Sequence, residues 1–138
     1  MNTIADPTRT RSVAEACAKG SEDGSLDFPK QIGMLSAAGI EGYYCDLRGA
    51  SKRYYLPDGA PLDVEAFRHD VPVPGRFDAD AVESAVRQSQ AGAIDYAAFC
   101  RRIMAAGCPG YLVSILGRRV VYFGRTAETH VEHFPAQK

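Results

Sequence analysis

The 138-residue sequence has no tryptophan, almost no net charge and no long apolar run. Sixteen Lys and Arg face seventeen Asp and Glu, a formal charge of −1, so no global positive field draws the molecule onto nucleic acid or an anionic membrane. The best apolar stretch, the broken run from Tyr111 to Leu116, falls far short of the roughly 18 residues that a spanning helix needs. The first twelve residues are polar, carry Asp6, Arg9 and Arg11, and offer no signal-peptide core. A cytoplasmic protein without a membrane segment is the expectation. Cys17, Cys45, Cys100 and Cys108 lack the two-residue separation of zinc knuckles and redox pairs, and in a reducing compartment they are expected as buried thiols. Gly107-Cys108-Pro109-Gly110 is not followed by the Lys-Ser/Thr of a phosphate cradle.

What is present is a globular composition, 46% hydrophobic and 24% charged, at a length that predicts one domain over residues 1–138. Within it lies a repeat. Offsetting the chain against itself by 68 residues aligns 10–55 with 78–123 and gives eleven identities in 46 positions, where composition alone predicts about three. Gly39/Gly107, Gly42/Gly110, Tyr43/Tyr111, Gly49/Gly117 and Tyr54/Tyr122 are among them. Removing one residue from the intervening loop then sets Val64 to Phe67 on Val131 to Phe134. The pattern predicts two pseudo-repeats, 10–67 and 78–134, joined by a linker at 68–77 whose prolines exclude a central strand.

Each half carries the same punctuation. Asp78 and Asp95 are good N-caps, with Phe77/Val82 and Ile94/Phe99 at hydrophobic-staple positions. The helix after Asp95 buries Tyr96, Phe99, Cys100 and Ile103 and stops at Gly107, where a left-handed cap needs a residue without a β-carbon. In the first half Thr10 or Ser12 is the expected first cap, and Asp27 opens a helix that ends at Gly39. Alternating, Tyr-rich segments around a glycine turn follow, the mark of a hairpin. A two-residue turn at Gly117-Arg118 puts Tyr43, Cys45, Leu47, Tyr54 and Leu56 on one face, matched by Tyr111, Val113, Ile115, Val120 and Tyr122. The expected fold is therefore α+β: a tandem duplication of a helix-helix-hairpin unit with a short third strand, its antiparallel sheet covered by helices on one face.

The halves differ on the other sheet face. There the first presents Tyr44, Asp46, Arg48, Arg53 and Tyr55, with Asp46 expected opposite Arg53, and the second presents Leu112, Ser114, Leu116, Val121 and Phe123. Tyr44, Asp46, Arg48 and Arg53 are the candidate ligand-binding groups, against the plainer reading of a solvated charge pair. Leu112, Leu116, Val121 and Phe123 are the candidate interface of a homodimer. His130-Val131-Glu132-His133 invites a zinc reading, but residues three apart on a strand point to opposite faces, so no metal is expected. Cys45 and Cys108 match Val113 and Ile40 in the repeat and read as core side chains, not nucleophiles; Glu15 and Glu83 read as water-facing. Arg101-Arg102, Arg118-Arg119 and Arg125 leave residues 96–138 at a net +4, yet the tyrosines cluster at repeat-related strand positions, which favours packing over base stacking. Neither catalytic residues nor a cofactor emerge.

The run from Phe28 through Gly39-Ile40-Glu41-Gly42-Tyr43 to Tyr54-Tyr55, and the ending Val120 to Gly124 and Val131 to Pro135, resemble the YbcV-like family of small bacterial proteins. That group is a domain of unknown function often labelled "phage envelope protein". The resemblance implies a mobile-element association and transfers no activity to named residues. The expectation is a non-catalytic binding or assembly module; the alternative is a small-molecule binder or enzyme with its site in the cleft between the halves.

Overall fold

The computed structural model describes residues 7–135. The helices are α1 (Pro7–Asp23), α2 (Phe28–Ala37), α3 (Ala79–Gln90) and α4 (Tyr96–Ala105). The strands are β1 (Gly42–Asp46), β2 (Ser51–Tyr55), β3 (Leu62–Glu65), β4 (Gly110–Ser114), β5 (Arg119–Phe123) and β6 (Thr129–His133). The chain thus runs helix, helix, three strands, and then the same order again.

Local chemistry sets the helix ends. Asp27, Asp78 and Asp95 accept hydrogen bonds from the backbone N–H of Lys30, Ala81 and Ala98 at 2.9, 3.0 and 2.8 Å, satisfying donors that the first turn leaves free. The first helix departs from expectation: Thr10 and Ser12 lie inside α1, and Thr10 is buried. At the far ends, Gly39 and Gly107 take φ of 84° and 91°. Around them Ile40 N–H donates to the Leu35 carbonyl and Cys108 N–H to that of Ile103, at 3.0 and 2.9 Å. Gly39 and Gly107 N–H donate to Ser36 and Met104, both at 3.0 Å, completing the same six-to-one and five-to-two cap on both helices. Ile40 and Cys108 are buried beside the residues they cover.

The strands form one antiparallel sheet in the order β3-β2-β1-β4-β5-β6, an open α+β sheet with β1 and β4 at its centre. Its register corrects the expected turns. Asp46 pairs with Ser51 and Ser114 with Arg119, so each hairpin closes through four residues, not two. The cause is side-chain chemistry at the strand ends. Asp46 accepts from Gly49 N–H at 2.9 Å and the Ser114 hydroxyl from Gly117 N–H at 2.8 Å. Ala50 and Arg118 then take φ of 53° and 51° to re-enter the next strand. The pairing moves by two residues in both hairpins, which leaves the side chains that remain within the strands on their expected faces.

That face is the core. Tyr43, Cys45, Leu47, Tyr54, Tyr111, Val113, Val120 and Tyr122 are buried with Cys17, Leu35, Val82, Phe99, Cys100, Ile103 and Met104. The third strands begin two residues earlier than expected. In β3 Val64 faces inward opposite Lys52, and in β6 Glu132 does so opposite Val120, while Val131 points outward at 39% exposure. The offset of 68 therefore continues through the third strands without the gap that was expected. Residues 66–78 form no strand and pass from β3 to α3, with Val71 and Val73 packed on the core.

Candidate functional site

Tyr44, Leu112, Val121 and Phe123 lie on the sheet face opposite the core, because each alternates with buried neighbours along β1, β4 and β5. Tyr44 is directly opposite Leu112, and its ring stacks on Phe123 at 5.9 Å. Leu112 is 41% exposed, and Val131 extends the apolar strip onto β6. Leu116, 75% exposed, sits in the β4-β5 turn beyond the strand, a correction to its expected place on the face.

The polar candidates do not converge. Arg53 stands opposite Tyr44, not Asp46, and makes a two-pronged ion pair with Asp63 of β3 at 2.7 and 3.0 Å. A third strand starting only at Val64 leaves that carboxylate off the sheet, whereas β3 begins at Leu62. Asp46 is engaged in its turn, and Arg48 lies in the same turn, where its carbonyl accepts from Arg68.

A polar cluster that sequence patterning did not single out lies under the other face. Lys52 is 1% exposed, with its amine 4.8 Å from the ring centre of Tyr96 and 5.9 Å from that of Tyr43. Strict alternation along β2 puts Lys52 on the same side as Tyr54, which is the signal that could have found it. Beside it the Tyr96 and Tyr111 hydroxyls share a hydrogen bond at 2.7 Å, and the Cys45 thiol lies 3.8 Å from the Tyr96 hydroxyl. Burial raises the Cys45 thiol above its ordinary value, with Lys52 pulling the other way. Burial likewise drives Tyr43, Tyr96 and Tyr111 well above the ordinary phenol value. Neutral thiols and phenols around one amine make a compact hydrogen-bonding core with no activated nucleophile.

All four cysteines are free and buried. Burial pushes Cys100 up to about 12 and Cys108 to about 11, the latter with its thiol donating to the Gly110 carbonyl at 3.0 Å. Four of the five arginines of residues 96–138 are hydrogen-bonded within the chain: Arg102 to Gln88, Arg118 to the Pro135 carbonyl, Arg119 to that of Gly117, and Arg125 to that of Val73. His130 turns toward the helices and His133 toward solvent, as their spacing predicts.

Fold and surfaces together define a small α+β protein with one helix-covered sheet face and one uncovered face, on which an apolar strip lies beside the Arg53 to Asp63 pair. Among the described residues no helix is long and apolar enough to cross a membrane. The chain belongs to the family described as "Protein of unknown function (DUF1398)", which it matches over residues 15–132. It is similar to "Uncharacterized protein Rv2012" of Mycobacterium tuberculosis (strain ATCC 25618 / H37Rv), at 31% identity over 111 residues, covering 79% of this chain and 67% of the relative. "Uncharacterized protein Mb2035" of Mycobacterium bovis matches with the same identity and coverage.

Proposed function

We propose that the protein is a non-catalytic assembly module of the cytoplasm that pairs with a second copy of itself through the uncovered sheet face. The observation that carries this reading is the contiguous strip of Tyr44, Leu112, Val121, Phe123 and Val131 across four neighbouring strands. Apolar strips of this kind on a small protein mark contact surfaces. We read the halves 10–67 and 78–134 as an ancestral duplication whose copies differ on this face. Tyr44 pairs directly with Leu112, its partner at the 68-residue offset, so an approximate twofold axis passes between β1 and β4, at one end of the strip, and the mates of Val121 and Val131 across it are Arg53 and Asp63. The dimer's own twofold axis therefore lies over β4 and β5, where the strip can face its copy.

The face is modest. The four strands that carry the strip, about 4.8 Å apart and five residues long, span roughly 14 by 16 Å, which places the contact below the range of standard stable interfaces. The dimer is accordingly concentration-dependent. Sedimentation velocity across a concentration series is expected to give a monomer-dimer equilibrium that Leu112→Asp and Val121→Lys abolish while circular dichroism stays unchanged. A strict monomer at high concentration would overturn the proposal. The mobile-element setting implied by the YbcV-like resemblance is a separate expectation, tested by the protein's abundance after prophage induction.

A further inference from the structure

Glu132 is an acid in a core position. It points from β6 toward the helices opposite Val120, its side chain 10% exposed, where β3 places Val64. An ionised carboxylate there needs a cation. Arg87 of α3 supplies one at 2.8 Å but is divided, since it also reaches Glu83 at 3.3 Å and Gln90 at 3.4 Å and is itself 54% exposed. The other Glu132 oxygen lies 2.5 Å from His130 Nε2. One ligand atom each from Glu83, His130 and Glu132 falls within 4.8 Å of the others.

We propose that Glu83, His130 and Glu132 form a site for a first-row divalent metal ion, zinc foremost, that clips α3 to the edge strand β6. Residues two apart on a strand share a face, so the motif is His130-x-Glu132, not the His130/His133 pair that alternation separates. Two carboxylates and an imidazole are a donor set for zinc and its neighbours, with room for water as a further ligand. Magnesium and calcium favour all-oxygen sites and fit this set poorly. Zinc with ligands near 2.1 Å sets them about 3.4 Å apart, so the carboxylates must draw together and Arg87 must leave. Its exposure gives it an open route to solvent. The exchange replaces one positive charge by two beside two carboxylates. The Tyr122 ring, 6.4 Å from that of His130, buttresses the imidazole.

The full chain without a polyhistidine tag would be titrated with zinc by calorimetry and with cobalt by absorption. One zinc per chain is expected, with no response to magnesium and no thiolate-to-cobalt charge-transfer band. His130→Ala and Glu132→Gln should each weaken zinc binding by about tenfold or more. Arg87→Gln, by removing the competing cation, should tighten it. His130→Ala leaves the Arg87 contact to Glu132 in place, so it keeps the test readable should Glu132→Gln fold poorly. Absence of zinc binding, equal affinity in His130→Ala, weaker or unchanged binding in Arg87→Gln, or a thiolate band would each overturn the site.

Discussion

Lys52 occupies a position where the second hairpin carries Val120, and its amine rests on two aromatic rings. Cation-to-ring attraction is worth about 2 kcal/mol when desolvated, less than the several kcal/mol of stripping water from an ammonium. Lys52→Met, similar in length and apolar, is therefore expected to be at least as stable as the parent, by up to about 2 kcal/mol. Urea unfolding checks this, and a lower midpoint would mean that the amine holds the fold. Two glycines give a sharper residue-level comparison. Gly39 and Gly107 share the same left-handed cap, yet a β-carbon at Gly39 meets nothing within 4 Å, while at Gly107 it would fall 2.0 Å from the Arg76 carbonyl oxygen. Gly39→Ala should cost about 1 kcal/mol for the backbone conformation alone. Gly107→Ala should cost roughly 3 kcal/mol or more, because the clashing atom is backbone and cannot rotate away. Equal losses in thermal unfolding would contradict this account.

The helices behave as their caps dictate. Asp95→Ala should lower stability by about 1 kcal/mol and Asp95→Asn by only a few tenths, since asparagine can still accept the Ala98 N–H. Chemical denaturation of the two variants separates capping from charge, and equal losses would reject capping. These ends were legible in the sequence because a cap is a local event: Asp before the helix and Gly after it suffice. Strand faces were equally legible, because alternation survives a register shift of two. The turn lengths were not, since a glycine within the loop pointed to a two-residue turn while Asp46 and Ser114, acting from the strand ends, hold a four-residue one. The burial of Lys52 and of Glu132 was not legible for a related reason. Each breaks the apolar pattern of its own strand and is accommodated by residues distant in sequence, Tyr96 for one and Arg87 for the other. Of the candidate surface, Tyr44, Leu112, Val121 and Phe123 followed from alternation. The Arg53 to Asp63 pair depends on where β3 begins, which the short, mixed third segment left open.

At the scale of the whole molecule, the core combines four thiols and several phenols rather than aliphatic side chains alone, and this makes the fold sensitive to alkali. Burial raises Cys17, Cys45, Cys100 and Cys108 above the ordinary thiol value of 9.0. Tyr43, Tyr54, Tyr96, Tyr111 and Tyr122 are raised above the phenol value of 10.0 for the same reason. In the unfolded chain these groups lose protons first, so the native state holds more protons at alkaline pH. Stability is then fully present below pH 9 and falls as pH rises toward the folded-state values, about 11 for Cys108 and 12 for Cys100. By pH 11 those two thiols alone remove on the order of 5 kcal/mol, as much as a small domain has in total. The thermal midpoint, measured with reductant present, should therefore stay level from pH 7 to 8.5 and drop steeply above 9.5. Tyrosinate absorbance from the five buried phenols should appear together with the loss of helical circular dichroism, because they ionise only as the core opens. Gradual tyrosinate formation near pH 10 in most of the tyrosines, with the helices intact, would mean that the phenols reach water without unfolding and that this packing is wrong.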